Sequence, residues 1–279
     1  MRITELTLEE YRGYLQDEER SGATVEKYLR DVRKFIAYLS GDMTINKDKV
    51  REYKQWLKER YTIASANSML AAVNSFFTYL GQEEWKVRLY KIQRAVYSKP
   101  EREMTKADYK RLVCAARKEG DMRMSMLIQT ICSTGIRISE LKYITVESLG
   151  VCRAEIYNKG KSRLVLIPSE LARALKKYCK EENITSGSIF VTKNGNPMDR
   201  SNISKRMKQI GKTAGVDSAK VFPHNLRHLF ARTFYNVEKD VVRLMDLLGH
   251  SNISTTRIYT VDTEERPREQ MARMHLVLD

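Results

Sequence analysis

The sequence predicts a mainly α protein in two domains, the second carrying a small β-sheet. Apolar residues recur at helical spacing through roughly the first 95 positions. The polar, proline-broken stretch RAVYSKPERE (94–103) then interrupts the pattern, as a linker does. Beyond it, GVCRAEIYNKGKSRLVLIP (150–168) reads as two strands joined by the turn NKGKS, set among further helices. A chain of 279 residues is long enough for two cores. The expected layout is a helical domain over 1–95, a linker over 96–103 and a second domain over 104–279.

Each element has a local reason. Thr7 with Glu10 reads as a capping box opening the helix in TLEEYRGYLQDEER. In TVEKYLRDVRKFIAYLSG, Val25, Tyr28, Leu29, Val32, Phe35, Ile36 and Leu39 share a face, and Gly41 is the stop. KDKVREYKQWLKER sets Val50, Tyr53 and Leu57 against Arg51, Lys54 and Lys58. ASANSMLAAVNSFFTYLG places Met69, Val73, Phe76 and Leu80 inward. Its other face carries Ser65, Ser68, Ser75 and Thr78, small enough for a phosphate backbone to approach. In the second domain Thr105 with Asp108 starts a helix near 105–119, and another follows near 121–134. After the two strands come helices near 169–180 and 199–213, then around PHNLRHLFARTFYN, EKDVVRLMDLLG and STTRIYT, with a tail helix near 264–275.

The net charge of +15 narrows the function classes. The surplus is uneven: residues 159–220 hold 14 lysines and arginines against 5 acidic residues, a net of +9. A concentrated surplus suits a docking surface for a polyanion, whose condensed counterions are released on binding. No apolar run approaches the roughly 18 residues of a membrane span, and the N-terminus shows no signal-peptide block, so a cytoplasmic, nucleoid-associated protein with no membrane partner is expected. Cys114, Cys132, Cys152 and Cys179 are scattered and read as small buried hydrophobes.

The residues able to do chemistry cluster late in the chain. In STGIRISEL, Gly135 ends a helix and Arg137 follows at the start of a short one, beside backbone N–H donors. A salt bridge to Glu140 is the plainer use of that arginine. In PHNLRHLF, Pro223 starts a helix, and His224 and Arg227 lie three apart on the face opposite Leu226, Leu229, Phe230 and Phe234. A zinc reading of His224 with His228 lacks both the HExxH glutamate and a third ligand. In LLGHSNISTTRIYT, Gly249 stops a helix, His250 follows, and Ser254 caps a short helix carrying Tyr259. Two arginines, two histidines, a tyrosine and a turn lysine can transfer a phosphoryl group without metal. The arginines stabilise the charged transition state, and the tyrosine hydroxyl attacks phosphorus.

The stretches TGIRISEL, HNLRHLFA and LLGHSNISTTRIYT, in that order, resemble the tyrosine recombinase (phage integrase) family, and the whole chain has that family's two-domain layout in a compact, Xer-like form. The resemblance implies an N-terminal SAM-like core-binding domain and a catalytic domain closing as a C-shaped clamp on DNA. It implies that Arg137, His224, Arg227 and His250 hold the scissile phosphate, with Tyr259 as nucleophile. The hairpin-turn acid would be Lys159, with Lys161 the alternative, and Glu140 and His228 would support the network. Candidate DNA contacts are Arg51, Lys54, Lys58, Ser68, Ser75, Lys161, Arg163, Arg200, Lys205 and Arg206. The implied partners are double-stranded DNA with paired inverted-repeat core sites and three further copies of the chain, joined in a tetramer through a Holliday junction. The tail, through Met271, Met274, Leu276 and Leu278, would dock on a neighbour or pack back in cis. Implied cofactors are none. A non-cleaving regulatory or architectural DNA-binding protein of this fold is the alternative. A histidine phosphodiesterase fits the charge and layout less well.

Overall fold

The computed structural model describes residues 4–39, 45–92, 103–158, 161–192, 194–249 and 252–256. Its contacts divide the chain into two compact units, Met1–Arg94 and Ala95–Asp279. Gly41, the linker at 96–102 and the tail helix lie outside the described residues.

The first unit is built from α1 (Glu5–Asp17), α2 (Gly22–Leu39), α3 (Lys47–Arg60) and α4 (Ile63–Tyr79), closed by a 3-10 turn at Glu83–Trp85. The cap of α1 differs from the expected one. Thr4 is the N-cap and Thr7 the third helical residue, the two side chains exchanging the capping-box bonds. The apolar stripes converge as their spacing requires: Leu8, Tyr11, Val25, Leu29, Val32, Phe35, Val50, Tyr53, Leu57, Val73 and Phe76 are all buried. Phe35 meets the Tyr53 ring at 5.0 Å and the Phe77 ring edge-on at 5.8 Å. Each such ring pair is worth about 1 kcal/mol beyond the area it buries. Two asparagines of α4 do a job not evident from composition. Asn67 pairs both ways with the backbone of Tyr90, and Asn74 with that of Val87, at 2.8–3.1 Å. The irregular segment 87–90 thus finds backbone partners on a helix.

The second unit comprises α5 (Lys106–Lys118), α6 (Met122–Thr134), a 3-10 helix (Ile138–Tyr143), α7 (Val146–Gly150), β1 (Arg153–Asn158), β2 (Lys161–Leu166), α8 (Ser169–Glu181), α9 (Arg200–Thr213), α10 (Pro223–Glu238), α11 (Val241–Leu248) and α12 (Ile253–Thr256). Thr105 and Asp108 form the expected capping box of α5. Helix α6 is the pillar, packed against α5, α8 and α10. It buries Met124, Leu127, Ile128 and Ile131, and hides Thr130 and Thr134 by bonding their hydroxyls to the carbonyls of Met126 and Thr130, at 2.8 and 2.6 Å. Strands β1 and β2 form an antiparallel hairpin in register from Arg153↔Leu166 to Asn158↔Lys161. Helix α12 begins at Ile253, so Ser254 lies inside it and is not its cap. Cys114 is exposed, against expectation, because it faces away from the core that α5 fills with Leu112, Val113, Ala115 and Ala116. No helix among the described residues is long and apolar enough to cross a membrane.

Candidate active site

Two helix ends meet to make the site. Helix α6 stops at Gly135, whose φ of 65° is left-handed. A Cβ there would lie 2.4 Å from Cδ1 of Phe230 on α10, so only glycine lets the two helices approach. Pro223 opens α10 at the position where a missing N–H costs nothing, and Phe222 before it supplies no side-chain cap. The first turn of α10 therefore presents its positive dipole end at the pocket.

A 250 Å³ pocket lies there, lined by Ile136, Arg137, Ile138, Ser139, Arg200, Ser204, Phe222, Pro223, His224 and Arg227. Three arginines and a histidine on one small cavity make an anion site with no carboxylate among its described lining residues. Arg137 keeps 37% of its side chain exposed while Glu140 behind it keeps 2%. The Glu140 carboxylate accepts the Arg137 backbone N–H and one guanidinium N–H at 2.8 Å each, and a third bond from Arg163 at 2.6 Å. Burial alone would raise its pKa. The Arg137 N–H and the two guanidinium groups outweigh that and hold it below the usual carboxylate range.

Arg227 does not lie on an outer face beside His224, as helical spacing suggested. It is 1% exposed, and its guanidinium donates to the carbonyls of Gly135 at 2.5 Å and Leu248 at 2.7 Å. Its stem turns inward because α10 packs that side against α6 and α11. His224 stays exposed at the pocket. Desolvation, then Arg227, Arg137 and Arg200, push it below its ordinary pKa. His228 lies edge-on to His224, ring centres 4.5 Å apart. Desolvation, then His224 and Arg227, lower His228 to about 4. Among the described residues no group of three or more His, Cys, Asp or Glu is placed to hold a metal ion.

Lys159, His250 and Tyr259 lie outside the described residues; of Lys161 only its place as first residue of β2 is described. Two candidate DNA contacts are engaged internally. Arg163 is 15% exposed and bonds Glu140 and, at 2.9 Å, the Leu247 carbonyl. Arg206 is tied to Asp121 at 2.7 Å and Glu119 at 2.9 Å. Ser75, expected on an outer face, is half-buried. Arg51, Lys58, Ser68, Arg200 and Lys205 are exposed. Lys54 stands over the Tyr90 ring and donates to the Arg88 carbonyl at 2.7 Å. It also helps line a 370 Å³ cavity in the first unit with Lys47, Arg51, Lys86, Val87 and Arg88. Lys86 and Arg88 join this cluster only through the segment that Asn67 and Asn74 hold, which no sequence spacing signals.

The model of the phage integrase family matches residues 102–266, and that of the phage integrase N-terminal SAM-like domain matches 8–84. The tyrosine recombinase XerA of Pyrococcus furiosus is 28% identical over 97% of this chain and 94% of its own. The crystal structure of XerH site-specific recombinase bound to difH substrate superposes with a TM-score of 0.70 at 19% identity, covering 100% of this chain and 86% of that one. A lambda integrase tetramer bound to a Holliday junction gives 0.73 at 17%, covering 91% and 76%. Both structural likenesses concern the fold.

Proposed function

Because the chain belongs to the phage integrase family and is a tyrosine-type site-specific DNA recombinase, we propose that it cuts and rejoins DNA without metal or ATP, through a covalent 3′-phosphotyrosine. The observation that carries the reading is the basic pocket at the α10 N-terminus, where Arg137, Arg200, His224 and Arg227 converge. In this reading the scissile phosphate sits in that pocket. Arg137 and Arg227 stabilise the extra negative charge of the five-coordinate transition state, the task a metal ion performs elsewhere. His224 and His250 contact non-bridging oxygens.

The Tyr259 oxygen attacks phosphorus as the bond to the 5′ oxygen breaks, and Lys159 supplies the proton to that leaving oxygen. Ionising a tyrosine of pKa roughly 10 at pH 7 costs about 4 kcal/mol, which neighbouring cations offset. A 5′ hydroxyl from the second strand then attacks the phosphotyrosine and releases Tyr259, so the bond energy is conserved. The partners are double-stranded DNA with paired inverted-repeat core sites and three further protomers, with the tail docking on a neighbour or packing back in cis. The cavity lined by Lys47, Arg51, Lys54, Lys86 and Arg88 supports a DNA backbone contact by the first unit. The working compartment is the cytoplasm, at the nucleoid. A non-cleaving architectural role is not favoured, since the relatives that match across nearly the whole chain are named recombinases.

A nicked suicide substrate, incubated with the protein in EDTA, tests the chemistry. A covalent protein–DNA adduct that vanishes in Tyr259→Phe is the expected result. Cleavage abolished by the chelator would overturn the metal-free reading. No adduct on a verified binding site would overturn the phosphotyrosine.

A further inference from the structure

Three successive carbonyls at the end of α11 are each taken by a different arginine. Arg163 donates to Leu247 at 2.9 Å, Arg227 to Leu248 at 2.7 Å, and Arg137 approaches Gly249 at 3.5 Å. These carbonyls belong to the group that a helix leaves without intrahelical partners, and positive charge there also suits the helix dipole. The chain then runs directly into His250.

Of the three arginines, Arg163 is the one with no place on the anion pocket. It comes from β2, where Val165 is buried with it, as is Ile167 just past the strand, while Leu164 and Leu166 face out. Its guanidinium spans two things at once. One nitrogen holds the Glu140 oxygen that also accepts the Arg137 backbone N–H; the other holds Leu247. Its stem fills the space beside Gly249, where a Cβ would lie 2.2 Å from Arg163 Cδ. Gly249 itself is left-handed, with φ 62°. The Arg163 Nε is buried with no hydrogen-bond partner among the described residues, a loss an apolar side chain would avoid. A methionine or leucine could fill that volume. What neither could do is hold Glu140 and the α11 terminus in one bond network.

We propose that Arg163 is a positioning residue for DNA cleavage, joining the hairpin that carries Lys159 to the Glu140–Arg137 pair and to the backbone that presents His250. This rests on the phosphotyrosine reading above, and it assigns Arg163 no contact with DNA. Losing the link frees Glu140 to rotate away from Arg137 and frees residues 247–249 to drift. Displacements near 1 Å in a reacting constellation cost about 100-fold in rate.

Arg163→Met and Arg163→Lys are the variants, each measured in three ways. DNA affinity and its salt dependence should stay within about threefold of the parent, since no phosphate contact is lost. Single-turnover adduct formation on saturating suicide substrate should fall about 100-fold in Arg163→Met, and Arg163→Lys, keeping the charge and one of the two bonds, should recover part of it. Amide hydrogen exchange without DNA should quicken at least tenfold at Arg137 and Gly249, and stay unchanged at Ile128 and Ile131 in α6. A rate loss matched by an equal affinity loss and a shallower salt slope would make Arg163 a phosphate contact and overturn the proposal. So would unchanged exchange at Arg137 and Gly249 in both variants. If the parent protein forms no adduct, the phosphotyrosine reading fails, and the exchange measurement still decides whether Arg163 positions these groups.

Discussion

Gly135→Ala gives the most demanding test of how the site is assembled. The substitution acts twice. A non-glycine residue at φ 65° pays about 1–2 kcal/mol for the left-handed backbone. The added methyl would also stand 2.4 Å from Phe230 Cδ1, 2.7 Å from its Cε1 and 3.1 Å from a Leu248 methyl. Restoring an ordinary carbon contact requires about 1 Å of movement, and crowding of this kind costs about 1–3 kcal/mol. The expected total is about 2–5 kcal/mol.

Gly120→Ala separates the two contributions. Gly120 also follows a helix, with φ 71°, but nothing lies within 4 Å of its Cβ position. It should lose only the backbone part. Urea unfolding followed by circular dichroism gives the comparison. The chain's two tryptophans, Trp56 and Trp85, both lie in the first unit, so their fluorescence supplies an internal reference that neither substitution should move. The clash also displaces α10 at Phe230, one turn from Arg227, whose guanidinium bonds the Gly135 carbonyl. Cleavage should therefore fall about 100-fold beyond any unfolding. Equal destabilisation by the two substitutions, within about 0.5 kcal/mol, would refute the claim that Gly135 is required by the approach of α6 to α10.

His228 makes stability depend on pH in a definite direction. Its pKa is lowered to about 4 from an ordinary 6.5, so between those values the unfolded chain binds the proton more readily and stability falls as pH falls. The loss approaches about 3 kcal/mol, and urea midpoints between pH 7 and 4 should show a slope that His228→Leu reduces; identical slopes would sink the idea. Arg206→Ala removes two partly exposed ion pairs and should cost about 1 kcal/mol in stability while leaving DNA affinity unchanged at every salt concentration. A change in the salt slope would return Arg206 to the DNA surface. Lys86→Ala with Arg88→Ala should weaken DNA binding uniformly across sequences and lower the salt slope by about 2, because phosphate contacts carry no base information. An altered sequence preference with an unchanged slope would count against that cavity as a backbone contact.

The way these residues were read from sequence shows where periodicity succeeds. In α3, the spacing of Val50, Tyr53 and Leu57 names the buried face directly, because a helix with one solvated side has one solution. The arrangement Gly135–Arg137–Glu140 is equally legible: a stop, a grip and its counter-ion lie within six residues of chain. Arg163 is less so. As a basic residue in a basic segment it reads as a DNA contact, yet its register with Val165 and Ile167 was the available signal that it points inward. Arg227 misleads for a related reason. Being three residues from His224 makes the two neighbours, but says nothing about which of them the next helix covers.

Sequence by itself determined the helical character of both units, the hairpin between α7 and α8, the concentration of positive charge and the family. All of these follow from spacing, local capping and motif order. Only the tertiary structure decided which charges are free. Arg137 and Arg200 line an open pocket, Arg227 closes its floor, and Arg163 and Arg206 are spent on carboxylates and carbonyls inside the second unit. The reason is physical: a guanidinium has the same charge wherever it lies, but its partners come from segments far away in the chain. Glu140 and Leu247 reach Arg163 across 23 and 84 residues, and no local pattern encodes a meeting at that distance.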